Sequence, residues 1–140
     1  MIDREKLKAY CEGFGVLLSP EQLDQFDGYC RLLLEWNKKM NLTAIREPEE
    51  VLIKHFVDSL ALLGFAELPQ GAKLIDVGTG AGFPGLPLKI ARPDLRLALL
   101  DSLKKRLRFA GGLRNTGAGC GHYPQPGRGW WKTFRPAPEL

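Results

Sequence analysis

The chain has 140 residues, 44% hydrophobic and 26% charged, which is the size and composition of one soluble globular domain with at most a small appendage. No run approaches the roughly 18 consecutive apolar residues of a membrane span, and the first twenty residues lack the apolar core and small-residue cleavage site of a secretory signal. Three scattered cysteines and two histidines support neither a disulfide framework nor a metal centre, so a reducing, cytoplasmic setting is expected. The net charge of +4 conceals an asymmetry: residues 1–72 carry 8 Lys/Arg against 12 Asp/Glu, and residues 73–140 carry 12 against 4. A basic second half fits a polyanionic partner such as nucleic acid, or simply a solvated face.

In chain order, residues 3–14 read as an amphipathic helix, with Leu7, Tyr10, Cys11 and Phe14 on one face and Gly13 and Gly15 at its end. Ser19, Pro20 and Gln22 supply an N-cap, a first-turn proline and a capping box for a second helix. Its stripe of Leu23, Phe26, Tyr29, Cys30, Leu33 and Leu34 predicts an end near Asn37. After a break at Asn41-Leu42-Thr43, Pro48 opens a third helix carrying Leu52, Phe56, Leu60 and Leu63, which Gly64 is expected to close. Residues 1–70 thus form an N-terminal helical segment whose short helices need another surface to cover their apolar faces.

From Lys73 the period changes. Lys73–Val77 reads as a buried parallel strand, residues 78–85 as a glycine-rich loop, Leu86–Ala91 as a short helix, and Leu95–Leu100 as a second strand with Asp101 at its end. Ser102 can cap a basic helix beginning at Leu103. Strand, glycine loop, helix, strand and acid make half of a nucleotide-binding βαβ unit over residues 71–109. Residues 110–140 contain seven Gly, four Pro and no Ile or Val, so no helix or strand period survives. They read as a disordered tail, or as a segment in a shifted reading frame that interrupts a helix already under way.

The chemistry concentrates in Asp76-Val77-Gly78-Thr79-Gly80-Ala81-Gly82. Gly78, Gly80 and Gly82 allow a tight turn that brings backbone N–H groups close to a ligand. Asp101 lies 23 residues beyond Gly78, the spacing at which a carboxylate can hold two ribose hydroxyls. An acid before the first glycine would repel a pyrophosphate; Asp76 would instead pair with an ammonium group or order the loop. Pro84 and Pro87 likewise disfavour a dinucleotide. The ligand indicated has an amino-acid part and a ribose, as S-adenosylmethionine does. The bland alternatives are a plain strand-to-helix turn for the glycines and a helix cap for Asp101. His55 has no second ligand nearby, so a hydrogen bond to Asp58 or to backbone is expected rather than a metal. Asn37 and Asn41 are expected to cap or cross-link the helical layer. Trp130 and Trp131, beside Arg128 and Lys132, are candidates for base stacking if the tail is in frame.

Residues 74–88, LIDVGTGAGFPGLPL, resemble the first motif of the ribosomal RNA small subunit methyltransferase G family, also known as the glucose-inhibited division protein B family. Trp36-Asn37-Lys38-Lys39-Met40-Asn41-Leu42-Thr43, His55-Phe56-Val57-Asp58-Ser59 and Leu99-Leu100-Asp101-Ser102-Leu103-Lys104-Lys105-Arg106 are similar to three further signatures of that family, in the same order and spacing. The resemblance covers about residues 3–109. It implies an α/β fold: a Rossmann-like S-adenosylmethionine-dependent methyltransferase domain, incomplete here, preceded by the helical segment. The implied reaction is methylation of guanine N7 in 16S ribosomal RNA, with that RNA or the small ribosomal subunit as partner. By position, Gly78 and Phe83 match the family's cofactor-binding residues, and Asp101 the ribose ligand of the wider fold. Gly80, Gly82 and Asp76 complete the candidate cofactor site, while Lys104, Lys105, Arg106 and Arg108 are candidate RNA contacts. No catalytic side chain is assigned, since guanine N7 carries a lone pair and no proton. The family's later strands, its adenine-contacting pair and its active-site Arg have no counterpart after Phe109, so weak or absent turnover is expected. The competing reading is a non-enzymatic basic RNA-binding module.

Overall fold

The computed structural model describes residues 1–101 and Phe109. The first helix, α1 (Arg4–Gly13), starts where the Asp3 side chain accepts a hydrogen bond from Lys6 N–H at 3.0 Å. Leu7 and Cys11 are buried, but Tyr10 is exposed, so the inward stripe is narrower than its sequence period implies. Helix α2 (Pro20–Met40) begins with the expected reciprocal cap: Gln22 N–H donates to Ser19 Oγ at 3.1 Å, and Ser19 N–H donates to Gln22 Oε1 at 2.7 Å. The Gln22 amide also donates to the Ile90 carbonyl at 2.9 Å, so the start of α2 is tied to the sheet-side half of the chain. The helix runs past Asn37 to Met40 and stops where Asn41 adopts a left-handed conformation with φ 48°.

The third helical run is not one regular helix. It comprises α3 (Pro48–Val51), a π-helical segment (Leu52–Val57), α4 (Asp58–Leu60) and α5 (Leu62–Phe65). Gly64 lies inside α5 rather than closing it, and the chain becomes extended at Ala66. The wider π turn lets Leu52, Phe56 and Val57 all face the core. Phe56 packs against Phe26 and Tyr29 of α2, with ring centroids 5.0 and 5.2 Å apart.

Two strands follow, β1 (Lys73–Val77) and β2 (Arg96–Leu100), paired in parallel with Leu74 opposite Leu97 and Asp76 opposite Leu99. Between them lies α6 (Gly85–Ala91). Parallel strands need such a crossover, and α6 returns across one face of the sheet. Arg92 and Asp94, between α6 and β2, pin that junction to the segment leading into β1. The Arg92 guanidinium pairs with Asp94 at 2.8 Å and donates to the Leu68 carbonyl at 3.2 Å, while Gly71 N–H donates to Asp94 at 2.9 Å. Arg92 holds the Asp94 carboxyl well below the usual carboxylate range.

The core runs continuously from the helical segment into the sheet-side half. It takes in Leu7, Phe26, Tyr29, Phe56 and Leu60 together with Leu86, Ile90, Leu95 and Leu99. Burial pushes the Cys11 and Cys30 thiols up to about 11, so both behave as packed apolar groups. Phe109 is also fully buried, 6.0 Å from Tyr29 and 5.8 Å from Trp36 between ring centroids. The strand reading needs one correction. Lys73–Val77 is not buried on both sides: Ile75 and Val77 are exposed, because among the described residues helix cover, from α6, lies on the face that carries Asp76, Leu97 and Leu99. Among the described residues no helix is long and apolar enough to cross a membrane.

Candidate cofactor site

The glycine loop leaves the end of β1 and enters α6 within a few residues. Gly78, Gly80 and Gly82 have φ values of 71°, 59° and 98°. These lie in the left-handed region that side chains with a Cβ rarely adopt. The glycines differ in what surrounds them. A Cβ on Gly78 or Gly80 would meet no atom within 4 Å, so this stretch of backbone borders open space. A Cβ on Gly82 would lie 2.5 Å from the Tyr29 hydroxyl and 2.3 Å from Leu86 Cδ1. One end of the loop is therefore open to a ligand, and the other is wedged into the core.

Two carboxylates shape this loop. Asp76 is buried, and its Oδ2 accepts from the Thr79 hydroxyl at 2.7 Å and from Gly85 N–H at 2.9 Å. It thereby spans the loop from its first turn to the start of α6. Of the two roles open to Asp76, ordering the loop is the one its contacts display. Burial raises its pKa above the ordinary value, while the bonds from Thr79 and Gly85 oppose that shift. Asp101, buried at the end of β2, accepts from Gly80 N–H at 2.8 Å. The acid expected to hold a ribose thus reaches the middle of the glycine loop from the neighbouring strand.

Phe83 follows the last of these glycines and is partly buried. Its ring stacks on Tyr29 at 5.3 Å with an interplanar angle of 8°, and on His55 at 4.2 Å with 5°. Tyr29 also donates its hydroxyl to the Ala81 carbonyl. His55 Nε2 lies 2.9 Å from Thr43 Oγ1, which is a different partner from the Asp58 or backbone group expected for the ring. Asp58 acts on His55 only through its charge. Burial lowers the His55 pKa and Asp58 partly offsets this. Asn37 is buried and its Oδ1 accepts from Thr43 N–H at 2.9 Å, so its role is the expected cross-link; Asn41 forms the left-handed end of α2. Sequence periodicity missed Tyr29 and Thr43 as parts of this site. Tyr29 sits in an apolar stripe, and only its hydroxyl, buried among nonpolar neighbours, hinted at a specific partner.

The structure brings together Asp76, Gly78, Gly80, Gly82, Phe83 and Asp101. Lys104, Lys105, Arg106 and Arg108 lie outside the described residues, as do Trp130 and Trp131. Among the described residues no group of three or more His, Cys, Asp or Glu could hold a metal ion. The open backbone at Gly78 and Gly80, with a carboxylate at the adjacent strand end, fits a ligand that carries a ribose and an amino-acid head. The contacts of Asp76 are turned to the loop itself.

A parallel strand–glycine loop–helix–strand unit with an acid at the second strand's end defines the nucleotide-binding half of a Rossmann-like α/β protein. Comparison with known proteins narrows this class. Residues 22–116 match the family model described as rRNA small subunit methyltransferase G. The chain is 52% identical over 106 residues to "Ribosomal RNA small subunit methyltransferase G" of Alkaliphilus oremlandii, covering 76% of this chain and 44% of the relative. It is 58% identical over 95 residues to the protein of that name from Lachnoclostridium phytofermentans, covering 68% and 39%. With the one from Desulfitobacterium hafniense it shares 59% over 92 residues, covering 66% and 37%. The chain belongs to the rRNA small subunit methyltransferase G family. It spans less than half the length of these curated relatives.

Proposed function

We propose that this chain carries the cofactor-binding half of an S-adenosylmethionine-dependent enzyme that methylates guanine N7 in 16S ribosomal RNA. The observation that carries this reading is the Gly80 N–H bond to Asp101, which sets the open glycine backbone and a strand-end carboxylate side by side. The backbone turn at Gly78 would receive the carboxylate of the amino-acid part, Gly80 N–H being already donated to Asp101. Asp101 would accept from the ribose hydroxyls, and Phe83 would border the bound molecule. Asp76 and Gly82 act one step back, by fixing the loop. The cofactor's sulfonium supplies an activated methyl group, and N7 supplies a lone pair without a proton to remove. The protein's task is alignment and exclusion of water rather than general-base catalysis. The target guanine must be unstacked, because the major groove of A-form RNA is too narrow for side chains to read. The basic residues Lys104, Lys105, Arg106 and Arg108 are proposed phosphate contacts.

The chain alone is expected to bind cofactor but turn over weakly or not at all. Incubation with methyl-labelled S-adenosylmethionine and either 16S ribosomal RNA or small ribosomal subunits tests this. The expected result is trace label confined to guanine N7. Label on another atom contradicts the N7 assignment, and robust turnover contradicts the partial reading. Steeply salt-dependent RNA binding without any cofactor binding would favour the non-enzymatic RNA-binding module instead.

A further inference from the structure

His55 and Tyr29 lie outside the glycine loop in sequence, yet both stack on Phe83. They come from different elements, Tyr29 from α2 and His55 from the π-helical segment. Each ring is fixed from behind. Tyr29 donates to Ala81, inside the loop, and its hydroxyl occupies the space that a Cβ on Gly82 would need. His55 is held at Nε2 by Thr43, whose own N–H donates to buried Asn37 of α2 and whose hydroxyl accepts from Ile45 N–H at 3.2 Å. The His55 carbonyl accepts from the Ser59 hydroxyl at 2.6 Å, which anchors the backbone beneath the ring. A continuous chain of contacts therefore runs from Asn37 through Thr43 and His55 to Phe83, and a second runs from Tyr29 to Ala81. Both begin on α2 and end on the loop.

Phe83 has only partial cover, and a cavity of ≈ 440 Å³ bordered by Lys54, His55, Asp58, Leu62, Phe83 and Pro84 opens beside it. Without a partner the ring could swing into that space and carry the adjoining glycines with it, since glycine offers little torsional resistance of its own.

We propose that His55 is a positioning residue that, together with Tyr29, clamps Phe83 and so holds the Gly78–Gly82 loop in its ligand-receiving shape. The clamp lets the N-terminal helical layer set the geometry of the cofactor site. The ligand part of this inference rests on the cofactor reading above; the loop-ordering part does not.

The test compares the full chain with His55→Leu, which keeps volume but not a flat ring, and His55→Phe, which keeps the ring but not Nε2. Hydrogen exchange is followed in ligand-free protein at the amides of Gly80 and Gly82, with α2 amides as internal reference. His55→Leu is expected to speed loop exchange by about tenfold relative to α2, the equivalent of about 1.4 kcal/mol. His55→Phe keeps the stack on Phe83 but loses the bond to Thr43, so it is expected to restore part of the protection. Unchanged loop exchange in His55→Leu overturns the proposal. So does an equal acceleration in loop and α2, which marks a merely structural residue, or a failure of His55→Phe to rescue. Calorimetric titration with S-adenosylmethionine is the second readout, with affinity falling in the same order as loop protection. If the unsubstituted chain does not bind the cofactor, the functional reading fails, while the exchange result still decides the clamp.

Discussion

On one face of the β1–β2 sheet, Leu97 and Leu99 are 2% and 0% exposed and Asp76 is buried beneath the N-terminus of α6. On the other, Ile75 and Val77 stand 65% and 70% exposed. The residue types are similarly apolar, so the difference comes from what lies above each face. α6 covers the first, and α2 and the third helical run pack against α6 in turn. Burying Leu97 and Leu99 stabilises the fold and also fixes the loop, because Leu99 packs where a Cβ on Gly85 would otherwise lie. The second face contributes little burial. Stability and site geometry thus come from the same side of the sheet, and substitutions should divide accordingly.

The largest expected effect is at Leu99, where truncation to Ala opens a cavity beneath Gly85 and should cost about 3 kcal/mol in urea unfolding. Gly82→Ala should follow at about 2–3 kcal/mol, because it combines a left-handed backbone with a Cβ forced against Tyr29 and Leu86. A cost under about 0.5 kcal/mol, as at an ordinary surface position, would show that the loop is not wedged into the core. Thr79→Val removes the hydroxyl that donates to buried Asp76 and should cost about 1–3 kcal/mol by the same measurement. The pH dependence is smaller. Burial lowers the His55 pKa below its ordinary value of 6.5, with Asp58 opposing and Lys54 bordering the same cavity. A proton therefore prefers the unfolded chain. His55's contribution is intact at neutral pH and declines as pH falls through 6.5. His55→Phe should flatten that part of the stability profile; an unchanged slope would place the titration elsewhere. The smallest effect belongs to the open face, where Ile75→Thr should change stability by no more than about 0.5 kcal/mol.

The same contrast explains how much could be read beforehand. The cap of α2 was legible because Ser19, Pro20 and Gln22 act locally, through bonds that span three residues. The glycine loop and Asp101 were legible because a strand–turn–helix–strand unit constrains the spacing of its own parts. The third helical run was not, since the same Leu52, Phe56 and Leu60 spacing suits both a regular helix and one with a π turn. Nor was the exposure of Ile75 and Val77: a continuous apolar strand reads as covered on both sides, and cover is a property of distant elements. The ring stack lay furthest from view. Tyr29, His55 and Phe83 are far apart in sequence, and only tertiary packing makes them neighbours.

The most direct test of the account is calorimetric titration of S-adenosylmethionine into the 140-residue chain and its Asp101→Ala and Gly78→Val variants, with thermal unfolding measured alongside. The account predicts saturable one-to-one binding by the unsubstituted chain, lost in both variants while Asp101→Ala remains folded. Absence of saturable binding, or undiminished affinity in Asp101→Ala, would contradict it.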